Sequence, residues 1–420
     1  MTERGIRVVS SSMDSSKAER SLKREVHMLM VMSFAFPTFQ GLAVTLGPLL
    51  MADMGLSKPV IGLLQAVPGL LVVMLGAPLA QMANTRWRRE TLIGTFVLAG
   101  LASLLYGQAR TGAGLILPQL LMGLATPCFF GNMLATSFRL AAGAKQSGIQ
   151  GKITAFQGLG YFIGPLLGGY LSKWGYGWGF SPGLLCALVG LLAAARLSAA
   201  VDIETYRGIR DFLGGAYARY FRVLTHRRAV WIGLAFVSLS SFQLYVTGGT
   251  FFLVYASLIG LSTLQAAGLM SSRELVSAVV RLGFGALSRR VPPMVQLGMA
   301  VILGALVLSA LPFTSSFWGL GLIALILGVA GAVVPPALNM LAGASAAPQE
   351  QSFAILCLAS GHFMVQTLMA PVIGLALSAF DYGVTYPLVG LVWIGLALLA
   401  LKWGLRVMHR QEEEELGNVA

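Results

Sequence analysis

Residues 59–85 read PVIGLLQAVPGLLVVMLGAPLAQMANT, 27 positions without a charge. About 20 apolar residues in a helix cross the hydrocarbon core of a bilayer. A soluble domain has nowhere to hide a run of this length. Similar uncharged runs flank it, 25 residues from Met28 to Ala52 and 28 from Thr111 to Phe138. Of the 420 residues, 56% are hydrophobic and 11% charged, against about 25% charged in soluble proteins. A membrane β-barrel would alternate apolar and polar residues over about 10 positions, and these runs are continuous. The reading is an all-α polytopic membrane protein. A soluble enzyme, a disordered chain and a disulfide-rich secreted domain are excluded.

Working outward, twelve spans are expected, near 28–52, 60–83, 90–109, 113–138, 150–172, 176–196, 229–256, 263–288, 294–312, 316–341, 351–379 and 384–405. The longest polar connection divides them six and six. The expected organisation is a disordered tail (1–26), a six-helix half (27–197), a linker (198–228), a second six-helix half (229–405) and a C-terminal tail (406–420). With both termini cytoplasmic, 24 of the 29 Lys and Arg fall inside. Lys58, Arg110 and Lys173 fall outside, and Arg273 and Arg281 lie within a span. Basic residues concentrate in the cytoplasmic loops of membrane proteins, so the +13 net charge is a topology signal rather than a nucleic-acid one. A multi-pass protein of the inner or plasma membrane is expected. The polar N-terminus does not read as a cleaved leader. Within the linker, Asp211–Leu224 reads as an amphipathic helix on the anionic leaflet or as a solvated tether. Cys128, Cys186 and Cys357 lie in apolar runs and read as buried small side chains. No metal site, cofactor or ATP-binding loop is expected.

The fifth span carries the most specific pattern. From Gly151, glycines recur at Gly160, Gly164, Gly168 and Gly169, with Pro165 after Gly164. Small residues four apart let a neighbouring helix approach closely, and proline bends the helix. This pattern resembles the antiporter motif of the major facilitator superfamily. Three further stretches support the resemblance. Ala80-Gln-Met-Ala-Asn84-Thr-Arg86-Trp87-Arg88-Arg89 is similar to the family's gate loop, with Asn84 in place of its aspartate. Gly285-Ala-Leu-Ser-Arg289-Arg290 repeats that loop in the second half. Ala370-Pro371-x2-Gly374 is a worn copy of the Gly164-Pro165 element. The resemblance implies two related halves and proton-coupled export. Gln119 stands where the family's fourth helix carries an arginine implicated in proton coupling.

Ionisable residues deep in a membrane are costly and default to function. Glu274 is the one acid well inside a span, next to Arg273 and seven residues before Arg281. Neighbouring helix positions point about 100° apart, so Arg273 and Glu274 are not expected simply to neutralise each other. Glu274 is the candidate proton carrier, and His362 the second, since its intrinsic pKa suits proton transfer. Arg273 and Arg281 are candidate substrate or gate residues. The resemblance places helices one, four, seven and ten around a central cavity. There Phe36, Gln40, Gln119, Gln243, Tyr245 and Asn339 make an aromatic and amide wall suited to an amphipathic organic solute. Three functions follow. One is a monomeric, proton-coupled exporter of a drug or of a metabolite such as a siderophore. Another is uptake or exchange of an organic anion with Arg273 as carboxylate clamp. The third is a non-transporting receptor or scaffold.

Overall fold

The computed structural model describes residues 3–82, 85–140, 144–197, 208–226, 228–283, 287–345 and 351–417, and among these every regular element is helical. The first half holds α1 (Glu3–Asp53), α2 (Lys58–Gln81), α3 (Arg88–Gln108), α4 (Ile116–Leu140), α5 (Ala144–Leu171) and α6 (Tyr176–Ala195). A linker helix, α7 (Ile209–His226), follows. The second half starts with α8, which runs as Arg228–Ser241, a π-helical segment Phe242–Phe251 and Phe252–Leu258. It continues with α9 (Thr263–Leu282), α10 (Pro293–Ser309), α11 (Phe317–Ser345), α12 (Gln351–Ala379) and α13 (Asp381–Gly417). Outward leucines such as Leu185, Leu188, Leu391 and Leu399 are exposed, as lipid-facing positions should be. Exposed Trp174, Trp178, Phe313 and Trp318 ring the end away from the linker, and Trp87, Trp231 and Trp403 mark the other. Aromatic girdles of this kind mark membrane interfaces.

The two halves repeat a local device. Gly55 and Gly260 both take positive φ, +71° and +83°, just past a helix end. Each is followed by Leu-Ser and a new helix. In both turns the leucine N–H reaches back five residues, Leu56 to the Met51 carbonyl (3.1 Å) and Leu261 to the Ala256 carbonyl (3.0 Å). A side chain would strain these left-handed positions, so glycine sets both turns.

Ten of the twelve bundle helices are, among the described residues, long and apolar enough to cross a membrane alone. The exceptions are α5 and α9. They pack against each other across the two halves, with Gly169 against Leu264 and Ala267. These two helices thus cover part of one another, while Leu166 and Leu167 of α5 and Leu275 and Val279 of α9 stay exposed. The halves also meet along α2 and α12. Lys58 Nζ donates to the Leu377 carbonyl (2.9 Å) and Thr367 Oγ1 to the Ala66 carbonyl (3.3 Å). One apolar core runs from the first half into the second at this end, whereas the second half next to the linker has a core of its own. The halves are therefore closed on each other at the end remote from the linker.

The helices run past the expected bounds of the tails, since α1 begins at Glu3 and α13 extends to Gly417. A formed helix propagates cheaply once nucleated, and both tails are rich in Glu, Lys and Arg, which are good helix formers. The amphipathic linker segment is a helix, but it is neither a free tether nor simply laid on lipid. Ala216 and Val223 are buried, the Tyr217 hydroxyl donates to the Met74 carbonyl of α2, and Cys357 Sγ of α12 reaches the Tyr220 carbonyl (3.7 Å). Burial there raises the Tyr220 phenol above its ordinary value.

Candidate functional site

Site geometry starts at the N-terminus of α9. A reciprocal capping box fixes it, with Ser262 Oγ accepting from the Gln265 N–H (3.3 Å) and Gln265 Oε1 from the Ser262 N–H (2.9 Å). Ten residues on, at about 1.5 Å per residue, Arg273 lies about 15 Å along the helix, midway across a bilayer core. Arg273 is 6% exposed. Its Nε and Nη2 donate to Glu274 Oε1 at 3.2 and 2.8 Å. Its Nη1 donates to the Leu244 and Gly248 carbonyls, each at 2.9 Å. The expectation that neighbours 100° apart stay separate is therefore wrong. The long arginine stem folds back, because an unpaired charge at this depth costs more than the bend.

The two carbonyls explain the π segment. Widening α8 between Phe242 and Phe251 turns backbone oxygens out of the regular ladder. Arg273 satisfies two of them, and Thr247 Oγ1 sits 3.3 Å from the Phe242 and Gln243 carbonyls. Gly248 is required here, since a Cβ would lie 2.4 Å from the Gln243 carbonyl oxygen.

Around this pair lie two tyrosines from opposite halves. Tyr161 of α5 and Tyr245 of α8 are each within electrostatic reach of Glu274 and Arg281. Tyr161 donates to Gln40 Oε1 of α1 at 2.6 Å. The Tyr245 ring meets His362 edge-on at 4.4 Å, and His362 Nδ1 lies 2.6 Å from Ser241 Oγ. Tyr245 is 41% exposed although it lies midway along α8, so it faces the space between the halves. Arg281 Nε is buried without a hydrogen-bond partner among the described residues.

Of the candidates, Glu274, Arg273, Arg281, Tyr245, Gln40 and His362 lie in one linked region of α1, α5, α8, α9 and α12. Tyr161 and Ser241 were missed. Tyr161 directly follows Gly160 in the glycine pattern, which was the available signal. Other candidates go elsewhere. Phe36 is fully buried and stacks on Phe129 at 4.3 Å inside the first half. Gln119 is fully buried in α4, and Gln243 Nε2 donates to the Val301 carbonyl of α10 (2.8 Å). Phe36 and Gln243 thus make their contacts within their own halves, whereas neither amide atom of Gln119 has a hydrogen-bond partner among the described residues. Arg89 Nη2 donates to the Ala195 carbonyl (2.5 Å), tying α3 to the end of α6 within one half. Arg88 is buried at the start of α3, whereas Arg289 and Arg290 are exposed. Asn84, Gly285, the side chain of Asn339 and the surroundings of Gly151 lie outside the described residues. Arg273 cannot act as a carboxylate clamp in this state, since four of its N–H donors are taken.

The glycine stripe also has a different neighbour from the one its spacing suggested. A Cβ at Gly160 would lie 2.5 Å from the Phe34 carbonyl oxygen, at Gly164 2.3 Å from that of Thr38, and at Gly168 2.2 Å from a Leu42 methyl. All three face α1 of the same half, and Pro165 lies against Gly41 of α1. Gly169 faces Leu264 and Ala267 of the other half, and Gly158 of the same helix faces Ala278 there. The worn copy behaves differently, with Gly374 against Lys58 and Pro59 across the seam.

The sequence profile described as Major Facilitator Superfamily matches residues 28–356. No curated protein is a detectable sequence relative. Solved structures are similar in fold. A POT family transporter in complex with 5-aminolevulinic acid is 13% identical with TM-score 0.73, covering 92% of this chain and 96% of its own. A bacterial homolog of the human lysosomal transporter Spinster, inward-facing and unoccupied, is 16% identical with TM-score 0.68, covering 92% and 98%. The nucleoside transporter NupG is 13% identical with TM-score 0.67, covering 90% and 98%. At these identities the likeness is one of fold. The profile covers most of the chain, the twelve-helix architecture agrees with it, and the chain belongs to the Major Facilitator Superfamily, as a membrane transporter rather than an enzyme.

Proposed function

We propose that this chain is a monomeric secondary transporter of the inner or plasma membrane. In this reading it exports a small amphipathic organic molecule in exchange for protons, by alternating access. Both termini and α7 are cytoplasmic, so the described state is open towards the cytoplasm. The observation that carries the reading is the Arg273–Glu274 pair, set between Tyr161 and Tyr245 where the halves meet. Protonation of Glu274 removes the negative partner of Arg273 and leaves a buried cation held only by the Leu244 and Gly248 carbonyls. A buried charge that loses its partner is destabilised by about 3–5 kcal/mol. That energy is available to rearrange α8 against α9 and so to bias one access state over the other. The glycine pattern of α5, by its resemblance to the antiporter motif, supports export.

A second reading is uptake or exchange of an organic anion. It is favoured by the charge balance of the seam, where Arg273 and Arg281 face the single acid Glu274. Flux into everted membrane vesicles separates the two. With an inside-acid gradient, an exporter accumulates its solute and the Glu274→Gln variant does not. Accumulation that needs no gradient, or that persists in Glu274→Gln, refutes proton-driven export through this residue.

A further inference from the structure

We infer that Arg281 receives an anionic group of the transported solute, which is therefore an amphipathic organic anion with an aromatic or other flat apolar body. The inference rests on reading the seam between Tyr161 and Tyr245 as the solute site. It starts from how the two arginines differ. Arg273 and Glu274 neutralise each other at 2.8 Å, and the remaining Arg273 contacts go to the Leu244 and Gly248 carbonyls. Arg281 lies two turns closer to the linker side on the same helix, and no hydrogen bond is found for it among the described residues. Its Nε is buried and unpartnered. A buried Nε–H is costly unless something accepts from it.

The groups that face Arg281 do not fill that role. From α5 comes the Tyr161 hydroxyl, already donating to Gln40. From α8 comes Tyr245, whose ring is partly open to the internal space. From α9 itself comes Glu274, held by Arg273. The stretch Phe317–Ser345 of α11, which packs on α9, contains no ionisable side chain. Among the described residues, His362 of α12 contacts Tyr245, Ser241 and Phe363. Among the described residues, Arg281, in the last turn of α9, is thus a cation with no acidic group of its own to pair with. Its planar fork matches a carboxylate or phosphate, and the two flanking tyrosine rings offer flat apolar faces. The geometry holds for either direction of transport.

The test is binding of three matched probes to the purified full-length protein in nanodiscs, read by calorimetry: naphthalene-2-carboxylate, naphthalene-2-carboxamide and naphthalen-2-ylmethylammonium. The carboxylate should bind tightest. Arg281→Gln should weaken the carboxylate by about tenfold or more, the size expected for a charge-assisted pair, and leave the carboxamide unchanged. Arg281→Lys should keep a preference for the carboxylate. Equal carboxylate affinity in wild type and R281Q, or preference for the ammonium, overturns the inference while leaving the seam as a binding site. Failure of all three probes to bind wild type removes the seam as the solute site and with it the reading on which the inference rests. If R281Q does not fold, wild type alone decides. Phenylglyoxal modification of Arg281, mapped by mass spectrometry, should be slowed by the carboxylate and not by the carboxamide. Equal rates with both overturn the assignment.

Discussion

Arg273 and Glu274 are adjacent in sequence and meet in space through a side chain that doubles back. Removing one partner and removing both have different consequences. Glu274→Gln leaves Arg273 buried and only half satisfied, which costs about 3 kcal/mol, the low end for a buried pair, because Glu274 is partly accessible. The variant should melt at a lower temperature and lose proton-driven flux. The double variant Arg273→Met/Glu274→Leu removes both charges and should recover most of the stability without recovering flux. Thermal unfolding of the three proteins checks the first claim and vesicle flux the second. A double variant no more stable than Glu274→Gln would mean that the pair is not energetically coupled. The sequence made Glu274 and Arg281 legible as candidates because charges are rare in these helices. It could not show that Arg273 caps backbone carbonyls, because a π segment has no reliable signature in single-chain periodicity.

Helices α2 and α5 carry the same small-residue device with two different neighbours. Gly164 packs on α1 within its own half, whereas Gly62 of α2 packs across the seam, with a Cβ 2.3 Å from the Ala370 carbonyl oxygen. Gly164→Ala should therefore overpack the first half and lower its stability by about 1–3 kcal/mol. Gly62→Ala should fold normally and disfavour the state in which α2 and α12 are closest. Melting temperature should fall for the first variant and conformational cross-linking change for the second. Gly112, whose Cβ would meet only flexible Leu56 methyls at 3.3 Å, should tolerate alanine. Melting curves in the reverse order would contradict this placement. Four-residue spacing was enough to predict a close helix contact. It could not say with which helix, because spacing records a smooth face and not the element that covers it. Phe36 was misread for a related reason. Composition marks a residue as apt for a cavity wall, but the rotation of its helix decides whether it faces the cavity or the packing.

At the level of the whole molecule, the continuous uncharged runs made the twelve helices and their six-plus-six division legible. The tails and the linker were less so, because helical tails and a docked α7 depend on neighbours that local sequence does not name. The proposed orientation rests on the distribution of Lys and Arg. In a Cys-free protein, Ser57→Cys should react with a membrane-impermeant maleimide in intact cells, and Ser12→Cys should not. Labelling of Ser12→Cys alone would invert the topology. The central claim is that the two halves rock about the α2–α12 and α5–α9 seams under control of Glu274. Spin-label distances test it most directly. One pair, Ser57→Cys with Phe380→Cys, spans the closed end, and a second, Trp87→Cys with Arg289→Cys, spans the linker end. In nanodiscs, Glu274→Gln, which mimics the protonated residue, should lengthen the first distance and shorten the second relative to the parent protein. Distances that stay unchanged, or that move in the same direction at both ends, would contradict alternating access governed by this carboxylate.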